Sequence, residues 1–274
     1  MDFSSQLCVL VVVYNVHCSE STTCQGLLRI PDLQAKIIIF DNSTRDFENE
    51  SFCREHNWVY LGGAGNVGIS KAYNTGIDYA RQRTEAQYVC LFDDDTNIDK
   101  DFFVTLHESL ANSSGNIFVP FIYSGRQLLS PSLIRPHMRI KPFAGENEAM
   151  QFKGMNVTAI NSCMTIRLSL FDSYRYDENI FLDGVDHNFL NDMRLAGERV
   201  QIIPYACLHD FSGNATISED AALFRFNIYA KDHYYILRNH KFSYYCLIFK
   251  RMLRLTLRYK SLRFFKIIVT NHLI

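Results

Sequence analysis

Three adjacent carboxylates, Asp93, Asp94 and Asp95, follow directly on the apolar run Tyr88-Val89-Cys90-Leu91-Phe92. Neighbouring aspartates repel one another, so such a cluster is costly unless a cation or hydrogen-bond donors occupy it. Hard oxygen ligands suit Mg2+ or Mn2+, ions that usually hold substrate phosphates as well. The competing reading is a polar loop in which Thr96 or Asn97 caps a helix starting near Asp99. Other groups with chemistry end apolar runs in the same way. Tyr14-Asn15 follows Leu7–Val13, Asp41-Asn42-Ser43 follows Lys36–Phe40, and His209 follows Tyr205–Leu208. A lone histidine in such a place is more often a satisfied structural residue. Asp183 and Asp186 stand three residues apart ahead of a helical stretch containing Phe189, where either could cap that helix.

The elements that must position these groups follow from periodicity. Leu7–Val13 and Lys36–Phe40 are unbroken apolar runs, the pattern of strands buried on both faces of a parallel sheet. Trp58–Leu61 is a third such strand, and Tyr88–Phe92 a fourth. A helix is predicted near residues 20–30. A second covers 68–84, with Ile69, Ala72, Tyr73 and Ile77 at helical spacing. Strands alternating with helices imply right-handed βαβ units and a parallel sheet, hence an α/β fold. Ligands of open α/β sheets bind at the carboxyl ends of the strands, where these polar groups collect. Further on, 99–112 reads as helix and Ile117–Val119 as strand. From about 120 to 158 Gly, Pro and Ser break the pattern. Val157–Ile166 resumes a strand, Phe189–Leu195 is helical, Arg199–Pro204 is extended, and 218–240 is one long helix.

Gly63-Ala64-Gly65-Asn66-Val67-Gly68 matches the glycine pattern that seats a pyrophosphate on a helix N-terminus. Its place argues against a nicotinamide or flavin dinucleotide. It follows the third strand rather than the first, and the strand after it ends in three acids beside what would be an anionic cofactor.

The wider stretch, Gly65-Asn66-Val67-Gly68-Ile69-Ser70-Lys71-Ala72-Tyr73-Asn74-Thr75-Gly76-Ile77, is more specific. Together with Tyr14-Asn15, Asp41-Asn42-Ser43 and the Asp93/Asp95 pair, in that order, it resembles the family 2 glycosyltransferases of the GT-A fold. It is most similar to their bacterial rhamnosyltransferase and galactofuranosyltransferase branch. The resemblance continues through Tyr174–Asp186, Leu208-His209-Asp210 and Tyr234–Asn239, and so covers roughly residues 7–240. It implies a Rossmann-like, mostly parallel sheet flanked by helices, and transfer of a sugar from a nucleotide-diphosphate donor with inversion at the anomeric carbon. It implies Mg2+ or Mn2+ as cofactor, held by Asp93, Asp95 and His209. It makes Asp186 the catalytic base. Substrate-binding positions would be Tyr14, Asn15, Asp41 (base or ribose), Asn66, Gly68, Asn74, Asp93, Asp94 and Asp183. Two departures bear on acceptor recognition. Asn188 stands where the branch often has an acid, and Asp192 stands where an arginine is usual, with Arg194 close by. Arg238-Asn239 matches a recurrent pair near the domain end. Donors implied are dTDP-rhamnose first and a UDP-sugar second. The acceptor implied is a lipid-linked or polysaccharide chain of a bacterial surface glycan. A non-catalytic nucleotide-sugar or glycan-binding module is the alternative.

Length and composition accommodate this reading. With 274 residues, 47% of them hydrophobic and 21% charged, the chain can bury a full core. The eight cysteines include no CxxC pair; Cys8, Cys90 and Cys207 lie in apolar runs and read as buried hydrophobes. No signal peptide or bilayer-length apolar run is evident. The net charge of -1 hides an asymmetry: nine Lys or Arg and no Asp or Glu follow Asp232. We expect a catalytic domain over 1–240 and a basic, amphipathic helical tail over 241–274. On a helical projection Lys250, Arg251, Arg254 and Arg258 share one arc, while Ile248, Phe249, Met252, Leu253, Leu255, Leu257 and Tyr259 fill the remainder. That layout suits peripheral contact with an anionic membrane, at the cytoplasmic face of the plasma membrane. A hairpin that packs on the domain or forms a homodimer is the other option. No nucleic-acid partner is expected.

Overall fold

The computed structural model describes residues 6–208 and 218–270. Its centre is an eight-stranded sheet. The strands are β1 (Leu7–Val13), β2 (Lys36–Asp41), β3 (Val59–Gly62), β4 (Tyr88–Asp93), β5 (Ile117–Ser124), β6 (Gln127–Ser130), β10 (Met164–Arg167) and β11 (Val200–Leu208), ordered β11-β5-β10-β4-β1-β2-β3 with β6 on β5. A second, three-stranded sheet holds β7 (Ser132–Arg135), β8 (Arg139–Pro142) and β9 (Val157–Thr158).

Every residue of β1 is buried, as its unbroken apolar sequence requires. Alternate side chains of β1 feed two cores. Leu7, Val9, Val11 and Val13 pack with helices α1 (Thr22–Leu28), α2 (Asn49–Glu55) and α4 (Lys100–Asn112). Cys8, Leu10 and Val12 pack with α3 (Ile69–Arg83) and α6 (Val185–Leu195) on the other face. β1 runs parallel to both β2 and β4, with Val13 beside Asp41 and Val12 beside Asp93. Parallel pairing therefore brings the polar ends of three strands to one edge.

The central sheet is mostly parallel and flanked by helices, as expected; at four places the detail differs from the sequence reading. The sheet is mixed: β10 runs antiparallel between β4 and β5. The stretch Val157–Ile166 is not one strand, because the chain turns at Cys163 (φ +63°) and its two halves join different sheets. The weakly patterned region 120–158 holds β6, β7, β8 and the short helix α5 (Glu146–Gln151). The helix read over 218–240 ends as α7 (Glu219–Ile236), and α8 (Lys241–Tyr259) and α9 (Arg263–Thr270) follow.

The C-terminal helices have a core of their own. Tyr244, Ile248 and Met252 of α8 and Phe264 of α9 pack on Phe226 and Ala230 of α7. Ile248 and Met252 thus face protein, not lipid. Arg251 is also turned inward, with its guanidinium 3.8 Å from the centre of the Tyr229 ring. What α8 leaves outside is a narrower stripe, Phe242, Tyr245, Phe249, Leu253 and Leu257. No described helix is long and apolar enough to cross a membrane.

Candidate active site

The acidic strand end is held mainly by backbone and hydroxyl groups. Ser21 caps α1, accepting from Cys24 N (3.2 Å), and its hydroxyl donates to the Asp94 carbonyl (2.7 Å). Thr23 Oγ1 donates to the Asp93 carbonyl (2.5 Å) and accepts from Thr96 N (2.9 Å). Ser162 Oγ donates to Asp93 Oδ2 (2.6 Å). The Tyr14 N–H donates to Asp94 Oδ2 (2.9 Å), tying the end of β1 to the end of β4. Burial pushes the Asp94 carboxyl up to about 6; Asp95 and Asp93 push the same way, against the Tyr14 N–H. A cation would relieve that crowding.

Asp41, Asn15 and Asn66 belong to a second polar strip on the same edge. Asp41 is buried; its oxygens accept from Ser43 N (3.0 Å) and Asn49 Nδ2 (2.9 Å), and Tyr60 OH lies at 3.5 Å. Asn15 adopts φ +54°, where its Oδ1 accepts from Thr44 N and Thr44 Oγ1, both at 2.9 Å. Asn66 Oδ1 accepts from Asn42 Nδ2 and Gly68 N, both at 3.1 Å.

Gly68 and Asn74, expected to touch substrate, face another part of the chain. Gly68 has φ +86°, and a Cβ there would lie 2.6 Å from Phe181 Cδ2 and 2.9 Å from its carbonyl oxygen. Ile69 N donates to Phe181 O (2.7 Å), and Ser70 Oγ donates to Ile180 O (2.5 Å). The N-terminus of α3 is thus filled by the protein's own backbone. Those contacts occupy the place where the glycine pattern would seat a dinucleotide pyrophosphate. Asn74 is 3% exposed. Its Nδ2 donates to Tyr176 O and Glu178 Oε1, and its Oδ1 accepts from Tyr176 N, each at 3.0 Å. The motif through α3 is a clamp on segment 174–183.

That segment delivers Asp183 and Asp186. Asp232 of α7 is buried, and its two oxygens accept from Phe181 N (2.8 Å), Leu182 N (2.9 Å) and Asp183 N (2.7 Å). Arg225, two turns earlier on α7, binds the Asp183 carboxylate through both guanidinium Nη groups, with Nη2 donating to Oδ1 at 2.8 Å. Asp183 is therefore an anchored group whose carboxylate already has a cationic partner. Gly184 takes a left-handed turn (φ +76°), and Asp186 lies in the first turn of α6. Burial raises the Asp186 carboxyl, opposed by His187; Asp93 and Asp183 raise it further. Tyr73 of α3 feels both acidic groups: burial pushes its phenol up, and Asp93 and Asp186 push the same way. The base candidate and the end of β4 thus share one electrostatic site.

Ser21, Thr23, Ser162, Arg225 and Asp232 went unnoticed in the sequence. Ser21-Thr22-Thr23 after the first strand carried a helix-cap signal. Arg225 and Asp232, one helical face apart by seven residues, carried none that separates them from surface charges.

The donor set suits a hard divalent cation, which is usually bound through one or two carboxylates together with substrate phosphates. Among the described residues no group of three His, Cys, Asp or Glu forms a complete metal cage. The third expected ligand, His209, lies outside the described residues. Asp93 and Asp95 would hold such an ion, and it would supply Lewis-acid stabilisation of a departing nucleoside diphosphate.

Several solved structures share the fold. TarS of S. aureus is 15% identical with a TM-score of 0.54, the match covering 82% of this chain; this chain spans 39% of TarS. Glucosyl-3-phosphoglycerate synthase from Mycobacterium tuberculosis, in complex with Mn2+, UDP and phosphoglyceric acid, is 14% identical with a TM-score of 0.53, covering 81% of this chain and 76% of its own. The mannosyltransferase PcManGT from Pyrobaculum calidifontis, in complex with GDP-Man and Mn2+, is 11% identical with a TM-score of 0.56, covering 99% and 81%. No curated protein matches the sequence. The family model described as "Glycosyl transferase family 2" matches residues 8–175, from the first strand to the segment clamped by α3. That match is more than half of the sequence, and the chain belongs to glycosyl transferase family 2.

Proposed function

We propose that this glycosyltransferase is an inverting, divalent-metal-dependent enzyme that uses a nucleotide-diphosphate sugar, and that Asp186 is its base. The observation that carries the reading is that the start of α6, which carries Asp186, packs in one core with Leu91 of β4, two residues before Asp93; Asp93 is among the charges that raise the Asp186 carboxyl. The chemistry fits. A carboxylate raised by burial is better matched to taking a proton from a hydroxyl than a solvated one. An acceptor oxygen deprotonated by Asp186 would attack the anomeric carbon from the side opposite the diphosphate held near Asp93 and Asp95. The bond to the diphosphate oxygen breaks as the new glycosidic bond forms, and one displacement inverts the configuration.

Two similar structures hold Mn2+ with a nucleotide or nucleotide-sugar, which supports metal dependence. Of these two, one carries a uridine nucleotide and the other a guanosine one, so nucleotide choice rests on the sequence resemblance, with dTDP-rhamnose ahead of UDP-sugars. The acceptor in this reading is a lipid-linked or polysaccharide hydroxyl of a bacterial surface glycan. The exposed stripe of α8, bordered by Lys250, Arg254 and Arg258, supports peripheral contact with an anionic membrane. The same stripe could instead pair two copies.

The test is release of nucleoside diphosphate from a panel of dTDP-, UDP- and GDP-sugars with Mn2+. Asp186→Asn should retain donor binding and lower turnover by about 100-fold or more. Asp95→Ala should abolish Mn2+-dependent donor binding. Donor binding without turnover in every case, whatever acceptor is offered, would favour the non-catalytic module.

A further inference from the structure

Behind α6 the surface opens into a cleft of about 700 Å³ with no part in the chemistry above. Its walls are α6, the end of α7, segment 174–180 and the loop after β7, which reaches across so that His137 meets His240 edge to face at 4.8 Å. Asn188, Asn191 and Asp192 line it from α6. At about 100° per residue these lie on the side of the helix away from Asp186. The Arg238-Asn239 pair singled out in the sequence lines it from the end of α7.

The lining has a defined chemistry. Four arginines reach the cleft, and one of them, Arg175, is already paired with Asp78 (2.8 Å) and Glu178 (3.2 Å). Arg194 bonds only Asn191 Oδ1 (3.0 Å), and its Nε is a buried donor with no partner among the described residues. Arg135 and Arg238 make no ion pair or side-chain hydrogen bond among the described residues, although Arg238 lies near enough to Asp192 to lower its pKa against the dominant effect of burial. Two carboxylates oppose them. Asp177 accepts from Asn179 (2.7 Å), and Asp192 accepts from Asn188 Nδ2 (3.2 Å) with Tyr174 OH at 3.5 Å. With Arg175 set aside among its own partners, three guanidinium groups face two carboxylates, one positive charge in excess, set among side-chain amides and the rings of Tyr174 and Tyr235. Guanidinium forks match phosphate oxygens two at a time. Carboxylates and amides complement hydroxyls in both directions. Tyrosine rings offer flat apolar faces to a sugar ring. The volume is that of a small-molecule site.

We infer that this cleft is a second binding site for a phosphorylated saccharide, separated from the reaction centre by α6. It binds without reacting, because α6 stands between the ligand and Asp186.

The test is calorimetric titration of the full chain in EDTA with glucose 1-phosphate, inorganic phosphate and methyl glucoside. Glucose 1-phosphate should bind more tightly than either other probe. Arg135→Ala/Arg238→Ala should weaken it at least about tenfold, as expected when two charged hydrogen-bonding partners are removed. Arg238→Lys, which keeps the charge but not the fork, should weaken it less. The thermal midpoint should be unchanged in each variant, since Arg135 and Arg238 are exposed. Nucleotide binding with Mn2+ and turnover of the donor, measured in parallel, should also be unchanged. That arm reports separately on the glycosyltransferase mechanism. No heat with glucose 1-phosphate, equal affinity for inorganic phosphate, or undiminished binding by the double variant would each overturn the proposal.

Discussion

Replacing Asn74 separates a clamp from a substrate contact. Its amide bridges α3 to both backbone groups of Tyr176 and to Glu178. In Asn74→Ala the Tyr176 N–H and C=O lose these partners in a buried setting. Each stranded group costs roughly 1–3 kcal/mol, so the two together cost about 2–6 kcal/mol. The lost bond to Glu178 adds little, because that side chain is 39% exposed. Such a loss is a large part of the roughly 5–15 kcal/mol that holds a typical protein folded. Asn74→Asp should be at least as damaging at pH 8: it keeps the acceptor for Tyr176 N but turns a carboxylate toward Tyr176 O and Glu178. Its own pKa would be raised in the fold, so its penalty should shrink as pH falls toward 5. Urea unfolding followed by circular dichroism gives the stability change. Titration with Mn2+ and whichever of dTDP, UDP or GDP the wild type binds gives the nucleotide affinity, which should stay within about threefold of wild type because Asn74 is sealed beneath segment 174–183. Turnover should fall, since that segment sets Asp186. A stability change below about 1 kcal/mol together with a tenfold loss of nucleotide affinity would refute the clamp and return Asn74 to the substrate.

Four further outcomes are expected. Burial holds His233 down at about 4, and its Nδ1–H donates to Tyr229 O (2.9 Å). Below the unfolded value near 6.5 the unfolded chain binds the extra proton, so stability should fall as pH drops from about 6.5 to 4, by roughly 2 kcal/mol at pH 5; His233→Gln should flatten that slope in pH-dependent urea titrations. Gly68→Ala should cost about 3 kcal/mol or more, combining a backbone region almost confined to glycine with displacement of Phe181; a thermal midpoint equal to wild type would refute the close approach. Mn2+ should raise the thermal midpoint of wild type and not of Asp95→Ala, since a ligand of the native state stabilises it. The full chain should co-sediment with phosphatidylglycerol vesicles, less at high salt, and Phe242→Ser/Phe249→Ser/Leu257→Ser should not; equal sedimentation of the two would remove the membrane role.

Much of the fold was legible because it is written locally. The apolar runs at Leu7–Val13, Lys36–Phe40 and Tyr88–Phe92 can only be strands covered on both faces. The period of Ile69, Ala72, Tyr73 and Ile77 can only be a helix face. The acids at strand ends then had to share one edge, because parallel strands place their carboxyl ends together. The antiparallel β10 was not legible, since a short apolar strand does not record the direction of its neighbours. Nor was the break at Cys163, where a left-handed residue divides a continuous apolar pattern.

The sequence by itself determined the sheet edge, the acid cluster on it and the resemblance that marks Asp186. Each rests on residues adjacent in the chain, or on an order that composition and period preserve. Tertiary structure alone decided what those residues touch. It turned Gly68 and Asn74 toward segment 174–183, because a buried backbone segment must find partners for its N–H and C=O groups wherever the fold offers them. It matched Arg225 to Asp183 and Asp232 to three backbone amides, pairings between α7 and a loop some forty to fifty residues earlier that no local pattern encodes. It also divided α8 into a buried face and an exposed stripe. A helical projection gives only the angles between side chains, and which angle faces protein depends on where α7 lies.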